Sequence, residues 1–209
     1  MTSHRRVAPL TRDTLGELPS PCRTCARWEL DVVHRERAQL TDRTLEAKQT
    51  WLSGTLLEWG SCGQIVYSEG TAAGYILYAP PAYLGGLAAY PTAPIAADAV
   101  ALATLRVEPE FAGHGLARLL IQTRAADLVR RGVRAVEAIA TTSPQPCLVP
   151  ADLLLALGFT TVRAHPRTPR LRLDLRSTVS WRDEVVELAR ERFWGRRRPV
   201  GAASREEPG

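Results

Sequence analysis

Phe111-Ala-Gly-His-Gly-Leu-Ala117 carries two glycines one residue apart, directly ahead of an apolar helical pattern at Leu116, Leu119 and Leu120. The first N–H groups of a helix have no intrahelical partner and lie at the positive end of its dipole. An anion is stabilised there, and glycine keeps a Cβ out of its way. The chemistry suits a diphosphate held by the amides of Ala112, Gly113, His114, Gly115, Leu116 and Ala117. Glu137 is a second chemical group. It sits in the otherwise apolar run Ala135-Val-Glu-Ala-Ile-Ala140 of the stretch from Val133, where a buried carboxylate must be paired, protonated or open to a cleft. Cys22-Arg-Thr-Cys25 is a third. Its spacing serves half of a zinc site, a redox pair or two packed thiols. No second Cys-x-x-Cys is present, and two sure ligands do not close a four-coordinate site, so no metal is expected. Cys147 stands between prolines with no histidine close in sequence, and reads as structural.

The elements that must position these groups are legible around them. Val100 to Val107 reads as a buried strand closed by Pro109. The helix that follows ends with Arg130 and Arg131 in its last turn and Gly132 at the cap. Val133 to Ala140 is a second strand, so the two should be parallel with a right-handed crossover. Upstream, Val7 to Leu10 suggests an edge strand and Thr11 to Leu18 a short helix stopped by Pro19. Asp42 to Trp59 reads as an amphipathic helix with Leu45, Leu52, Leu56 and Trp59 on one face. Cys62–Gly70 and Thr71–Ala79 read as a hairpin turning at Glu69-Gly70, and Pro80 to Pro94 as a long loop bearing Tyr83, Tyr90 and Gly85-Gly86. Ser180 to Trp194 predicts a terminal helix, capped by Ser180 and presenting Val185, Leu188 and Ala189 to the body or to a second copy in a homodimer.

The longer string Val107-x-Pro-x-Phe-x-Gly-x-Gly-Leu-Ala-x-x-Leu resembles the acetyl-CoA-binding motif of the GNAT N-acetyltransferase superfamily. Asp152-Leu-Leu-Leu-Ala-Leu-Gly-Phe-Thr-Thr-Val162 is similar to the family's last helix and strand, and Arg170 to Arg176 to its closing strand. The resemblance implies a single mixed α+β domain over residues 1–195 and a polar tail over 196–209. It also implies a mostly antiparallel sheet splayed between two central parallel strands and flanked by helices. The implied reaction is acetyl transfer from acetyl-CoA to the amine of a small molecule or protein. Leu105, Arg106 and Val107 would hold the pantetheine arm through their backbones. Glu137 or a water chain would be the base, and Tyr78, Tyr83 or Tyr90 the acid. Two positions depart from the pattern. Glu110 replaces the usual Gln or Arg, and Leu154 replaces a tyrosine that serves as acid in many members. These departures set up a rival, an acyl-CoA-binding sensor without turnover. Some bacterial members also carry a Cys- and Trp-containing amino-terminal segment like the one from Cys22 to Trp28.

Composition narrows the classes further. With 45% hydrophobic and 23% charged residues over 209, the chain has the balance of one globular domain. It has no long apolar stretch and no leader-like opening, so a cytoplasmic protein without a membrane partner is expected. Net charge is +5, with Arg190, Arg192 and Arg196 to Arg198 contributing near the C-terminus. That cluster reads as a solvated tail rather than a nucleic-acid site. Lys48 is the sole lysine among 27 basic residues.

Overall fold

The computed structural model describes residues 5–176. Along the chain come β1 (Arg5–Pro9), α1 (Val32–Leu40), α2 (Thr44–Glu58), β2 (Gly63–Ser68), β3 (Thr71–Ala79), β4 (Ala99–Val107) and α3 (Leu116–Arg130). They are followed by β5 (Ala135–Thr141), β6 (Val149–Pro150), α4 (Ala151–Ala156), β7 (Thr160–Arg163) and β8 (Arg170–Asp174). The sheet order is β1-β2-β3-β4-β5-β8-β7, with β6 added beside β5. Only β4–β5 and β5–β6 are parallel; the other pairs are antiparallel. This is the splayed mixed sheet, flanked by helices, that the motifs implied. No helix among the described residues is long and apolar enough to cross a membrane.

The splay has a local cause. Parallel pairing of β4 with β5 runs only from Ala99–Ala135 to Ala101–Glu137. On the other side of β4, Tyr78 faces Leu102 and Leu77 faces Thr104, which leaves Ala103 as an extra residue. Such a bulge bends a strand and increases its twist. It also shifts the side-chain alternation by one. Val100 and Leu102 enter the core under α3, and the next β4 residue to do so is Leu105. Past the bulge β4 turns away from β5, and the two strands form a V.

Each sheet face is covered by its own core. On one side Leu116, Leu120, Ile121 and Leu128 of α3, with Leu154 of α4 and Phe159, pack on β4 and β5. Burying each such leucine stabilises the fold by about 1.5–3 kcal/mol. On the other side Leu10, Leu15, Leu18 and Trp28 of the amino-terminal segment, with Leu52 of α2, cover Ile65, Tyr75, Leu77 and Ile139. A buried ion pair fixes that segment. Lys48 Nζ lies 2.6 Å from Glu29 Oε1 and donates to the carbonyls of Cys22 (3.0 Å) and Cys25 (2.7 Å). At the far end of α2, the Arg131 guanidinium stacks over the Trp59 ring at 3.9 Å and donates to the Trp59 carbonyl.

Two expectations change in detail. The helix foreseen over Thr11–Leu18 is a single 3₁₀ turn, Thr14–Glu17, because Gly16 and the nearby Pro19 leave too few residues to nucleate an α-helix. The Pro80–Pro94 stretch folds into two 3₁₀ turns, Pro81–Tyr83 and Gly85–Ala89, that dock on the amino-terminal segment. Gly86 donates its N–H to the Trp28 carbonyl at 3.0 Å. The helix foreseen over Ser180–Trp194 and the tail beyond it lie outside the described residues.

At Gly86 a Cβ would stand 1.9 Å from the Arg27 carbonyl oxygen, a main-chain atom that cannot rotate aside. Gly86→Ala should therefore destabilise the fold by about 1–3 kcal/mol, read as a lowered melting temperature. An unchanged melting temperature would mean that the segment is not docked on this turn.

Candidate functional site

A cleft of about 610 Å³ opens between the diverging ends of β4 and β5. One wall is Thr104 to Val107, and the floor is the loop and first turn containing Gly113, Gly115, Leu116, Ala117 and Arg118. The opposite wall is Gln145 to Pro150, backed by Leu153 of α4 and Leu157 just past its end, and Cys22 reaches in from the amino-terminal segment. Along the V, the β4 edge that faces β5 has no strand partner beyond Ala101 among the described residues. Its backbone N–H and C=O groups are therefore available to a ligand lying in the cleft.

The loop geometry follows from its glycines. Gly113 and Gly115 hold φ of 78° and 74°, a left-handed conformation that costs other residues about 1–2 kcal/mol. Nothing lies within 4 Å of a Cβ built on either, so their outer face is open. Ala112 already donates its N–H to Pro109 (3.1 Å), while Leu119 makes the first bond into the helix from Gly115 (3.0 Å). The amides between these points open α3 and face a preceding turn that cannot pair them. The charged side chains in the lining are Arg106 and Arg118, both cations. Arg106 is held by Glu108 at 2.8 Å, and Arg118 donates to the Ala156 carbonyl at 3.2 Å. A glycine-lined helix start with a guanidinium on its first turn has the chemistry to hold an anion.

Of the residues expected to bind cofactor, Leu105, Arg106, Val107, Ala112, Gly113, Gly115, Leu116 and Ala117 line this cleft. His114 does not; it is exposed, with Nδ1 3.2 Å from the Phe111 carbonyl. Glu110 lies on the exposed 3₁₀ turn before the loop and leaves the lining without a carboxylate. Leu154 is fully buried in the core, and it is Leu153 of that helix and Leu157 just past its end that face the cleft. Arg118 escaped the sequence reading, although its position three residues after Gly115 puts it over the same turn. The wall from Gln145 to Pro150 gave no periodic signal, being a proline-rich loop ended by a two-residue strand.

The four residues expected to carry proton transfer lie elsewhere. Tyr78 is buried under α3, edge-on to Trp59 at 6.0 Å, and burial pushes its phenol up to about 12. Tyr83 sits on the 3₁₀ turn, where its carbonyl accepts from Trp51 Nε1 at 2.6 Å. Tyr90 stacks on Trp28 at 5.0 Å and its hydroxyl accepts from Arg27 at 2.9 Å. Glu137 is at the vertex of the V, opposite Ala101 and Arg172 in register. Its carboxylate meets Arg172 at 3.0 Å and Arg170 at 3.3 Å, and accepts from the Ala96 N–H at 3.2 Å. Arg172 also grips Asp98 at 2.9 Å, holding that carboxyl below its usual range.

The cysteines do converge. Cys25 Sγ lies 2.9 Å from Cys147 Sγ, and Trp28 Nε1 donates to the Cys147 carbonyl at 2.8 Å. All four cysteines are free thiols. Among the described residues no group of three or more His, Cys, Asp or Glu side chains is placed to hold a metal ion.

The acetyltransferase (GNAT) family model matches residues 25–147, more than half of the chain, and the chain belongs to that family. Among curated protein sequences none matches. Solved structures share its fold. The PaiA N-acetyltransferase of Thermoplasma acidophilum, in complex with coenzyme A, superposes with a TM-score of 0.54 at 12% identity, over 82% of this chain and 99% of its own. An N-acetyltransferase of Staphylococcus aureus Mu50 gives 0.53 at 14% identity, over 83% and 99%. The ribosomal-protein-S5-alanine acetyltransferase of Vibrio fischeri gives 0.51 at 14%, over 83% and 97%.

Replacing Glu137 by Gln keeps its shape and removes the charge that two arginines share. The arginine side chains are 17% and 23% exposed and can be partly rehydrated, so a loss of about 1–3 kcal/mol of stability is expected. Turnover per folded molecule should stay within about tenfold of the parent, whereas loss of a general base would cost about 100- to 10,000-fold. A stable variant with a collapsed rate would restore Glu137 as the base.

Proposed function

We propose that the chain transfers the acetyl group of acetyl-CoA to an amine. The open edge of β4, running from the vertex of the V to the glycine loop, carries this reading. CoA joins a diphosphate to a thiol through a thin arm that contains amides. The arm suits the unpaired main-chain groups of Leu105 and Val107, which alternate with Arg106 along the free edge of β4, and the diphosphate suits the amides from Gly113 onward with Arg118 beside them. With both ends so held, the thioester points toward the bulge at Ala103. Membership of the acetyltransferase family supports the reaction class, and the coenzyme A complex of the Thermoplasma protein supports the choice of cofactor.

The chemistry then needs little from side chains. A neutral amine attacks the thioester carbonyl, the carbonyl oxygen takes up negative charge, and the thiolate leaves. A β4 amide near the bulge would stabilise that oxygen, and the fixed edge would hold the reactants in register. Among the described residues neither a carboxylate nor a tyrosine lines the cleft, so we assign removal of the acceptor's proton to water entering through the cleft's open mouth. The rival, binding without turnover, shares the cleft and differs only in the outcome of an assay.

Titration calorimetry with acetyl-CoA and a thiol-release assay over a panel of amines test the reading together. Binding with CoA release is expected; binding with no release from any amine would favour the rival. Gly113→Val puts a branched side chain on the open face of the loop at φ 78°. It should weaken acetyl-CoA binding by about 100-fold, about 2.7 kcal/mol, and lower the melting temperature by only a few degrees. A mutant that binds as tightly as the parent would move the cofactor site off this loop.

A further inference from the structure

The amino-terminal motif suggests that Cys22 and Cys25 act on each other, but the fold gives Cys25 a different partner. Its sulfur lies 2.9 Å from that of Cys147, 122 residues away. Cys147 is held at φ 65°, an unusual conformation for a residue with a Cβ, and its carbonyl is tied by Trp28. Both thiols are partly exposed, whereas Cys22 and Cys62 are buried. We infer that Cys25 and Cys147 are an oxidation site, forming a disulfide that clasps the amino-terminal segment to the wall of the cleft.

The geometry is close to that of the product. A disulfide bond is about 2.05 Å long, so the sulfurs need to approach by less than about 1 Å. Reactivity is divided between the two thiols. The Cys147 S–H donating to Cys25 is the largest influence on Cys25 and lowers its pKa, with the Arg27 amide and the Lys48 ammonium acting in the same direction. Burial and Glu29 oppose them. The same contact, followed by burial, raises the pKa of Cys147. One thiolate nucleophile thus faces one thiol that can resolve its oxidised form. With hydrogen peroxide as oxidant, the Cys25 thiolate attacks one oxygen and hydroxide leaves, giving a sulfenic acid. The Cys147 thiol then attacks that sulfur, forming the S–S bond and releasing water. In sum two thiols and one peroxide become one disulfide and two waters.

The bond would fix Gln145 to Leu148 against Trp28 and close a long loop of chain, which constrains the unfolded state strongly. In the reduced protein only non-covalent contacts hold this wall. The oxidation state of the pair therefore sets whether the wall can part from the segment.

The test uses the full chain, fully reduced and then exposed to hydrogen peroxide, alkylated and mapped by peptide mass spectrometry. A Cys25–Cys147 cross-linked peptide is expected, with a melting temperature roughly 5–15 °C above that of the reduced chain and a return on adding dithiothreitol. Cys25→Ser should abolish both effects and Cys22→Ser neither. A Cys22–Cys25 link, full alkylation of Cys25 and Cys147 after peroxide, or a correct link with no thermal shift would each overturn the inference. The comparison of reduced with oxidised wild-type chain stands even if a variant fails to fold.

Discussion

The arrangement depends on one carboxylate. Glu137 stands at the last paired position between the two parallel strands, where they must be held together and immediately released. Its bonds to Arg170 and Arg172 of β8 and to the Ala96 amide, extended by Arg172 to Asp98, tie β5, β8 and the stretch leading into β4 together at the vertex. Parallel strands left to themselves would continue their ladder. Here the ion pairs secure the closed end while the bulge at Ala103 bends β4 away, and the gap between them becomes the cleft. A buried charge at such a joint is costly unless every oxygen is answered, and here each is.

The second constraint is the amino-terminal segment, which has no regular strand or α-helix between Pro9 and Val32 and yet packs Leu10, Leu15, Leu18 and Trp28 on one sheet face. It is held from three sides: by Lys48 and Glu29 beneath, by the Gly85–Ala89 turn above, and by Trp28 and Cys25 against the cleft wall. A loop with this many exposed-type residues stays docked because its carbonyls at Cys22 and Cys25 are answered by a buried ammonium, and its Trp28 indole answers the Cys147 carbonyl of the cleft wall. The segment thereby becomes part of the site instead of an appendage to it.

Much of the fold was legible because it rests on local patterns. The alternation of β8, the apolar run of β4 and the glycine loop ahead of α3 are all contained within a few residues. The cleft's floor was readable for the same reason. What was not readable depends on long separations. Cys147 had no visible partner because Cys25 lies 122 residues away, and the run around Glu137 did not reveal that its arginines come from β8. Tyr78, Tyr83 and Tyr90 are phenols close to the motif in sequence, yet the register of β3 and the packing of the turns direct each to another neighbour. The bulge at Ala103 was equally silent, since an alanine in an apolar strand carries no mark of the residue it displaces.

Lys48, anchored under Cys22 and Cys25, has a consequence outside folding. It is the chain's sole lysine and is 4% exposed, with its ammonium enclosed by Glu29 and two carbonyls. The surface therefore offers no ε-amine to an activated acyl group. Self-acetylation on lysine has no substrate in the folded protein, and amine-reactive labels leave the folded surface's side chains untouched. An acetyl group appearing on Lys48 would report unfolding of the amino-terminal segment rather than reaction in the cleft.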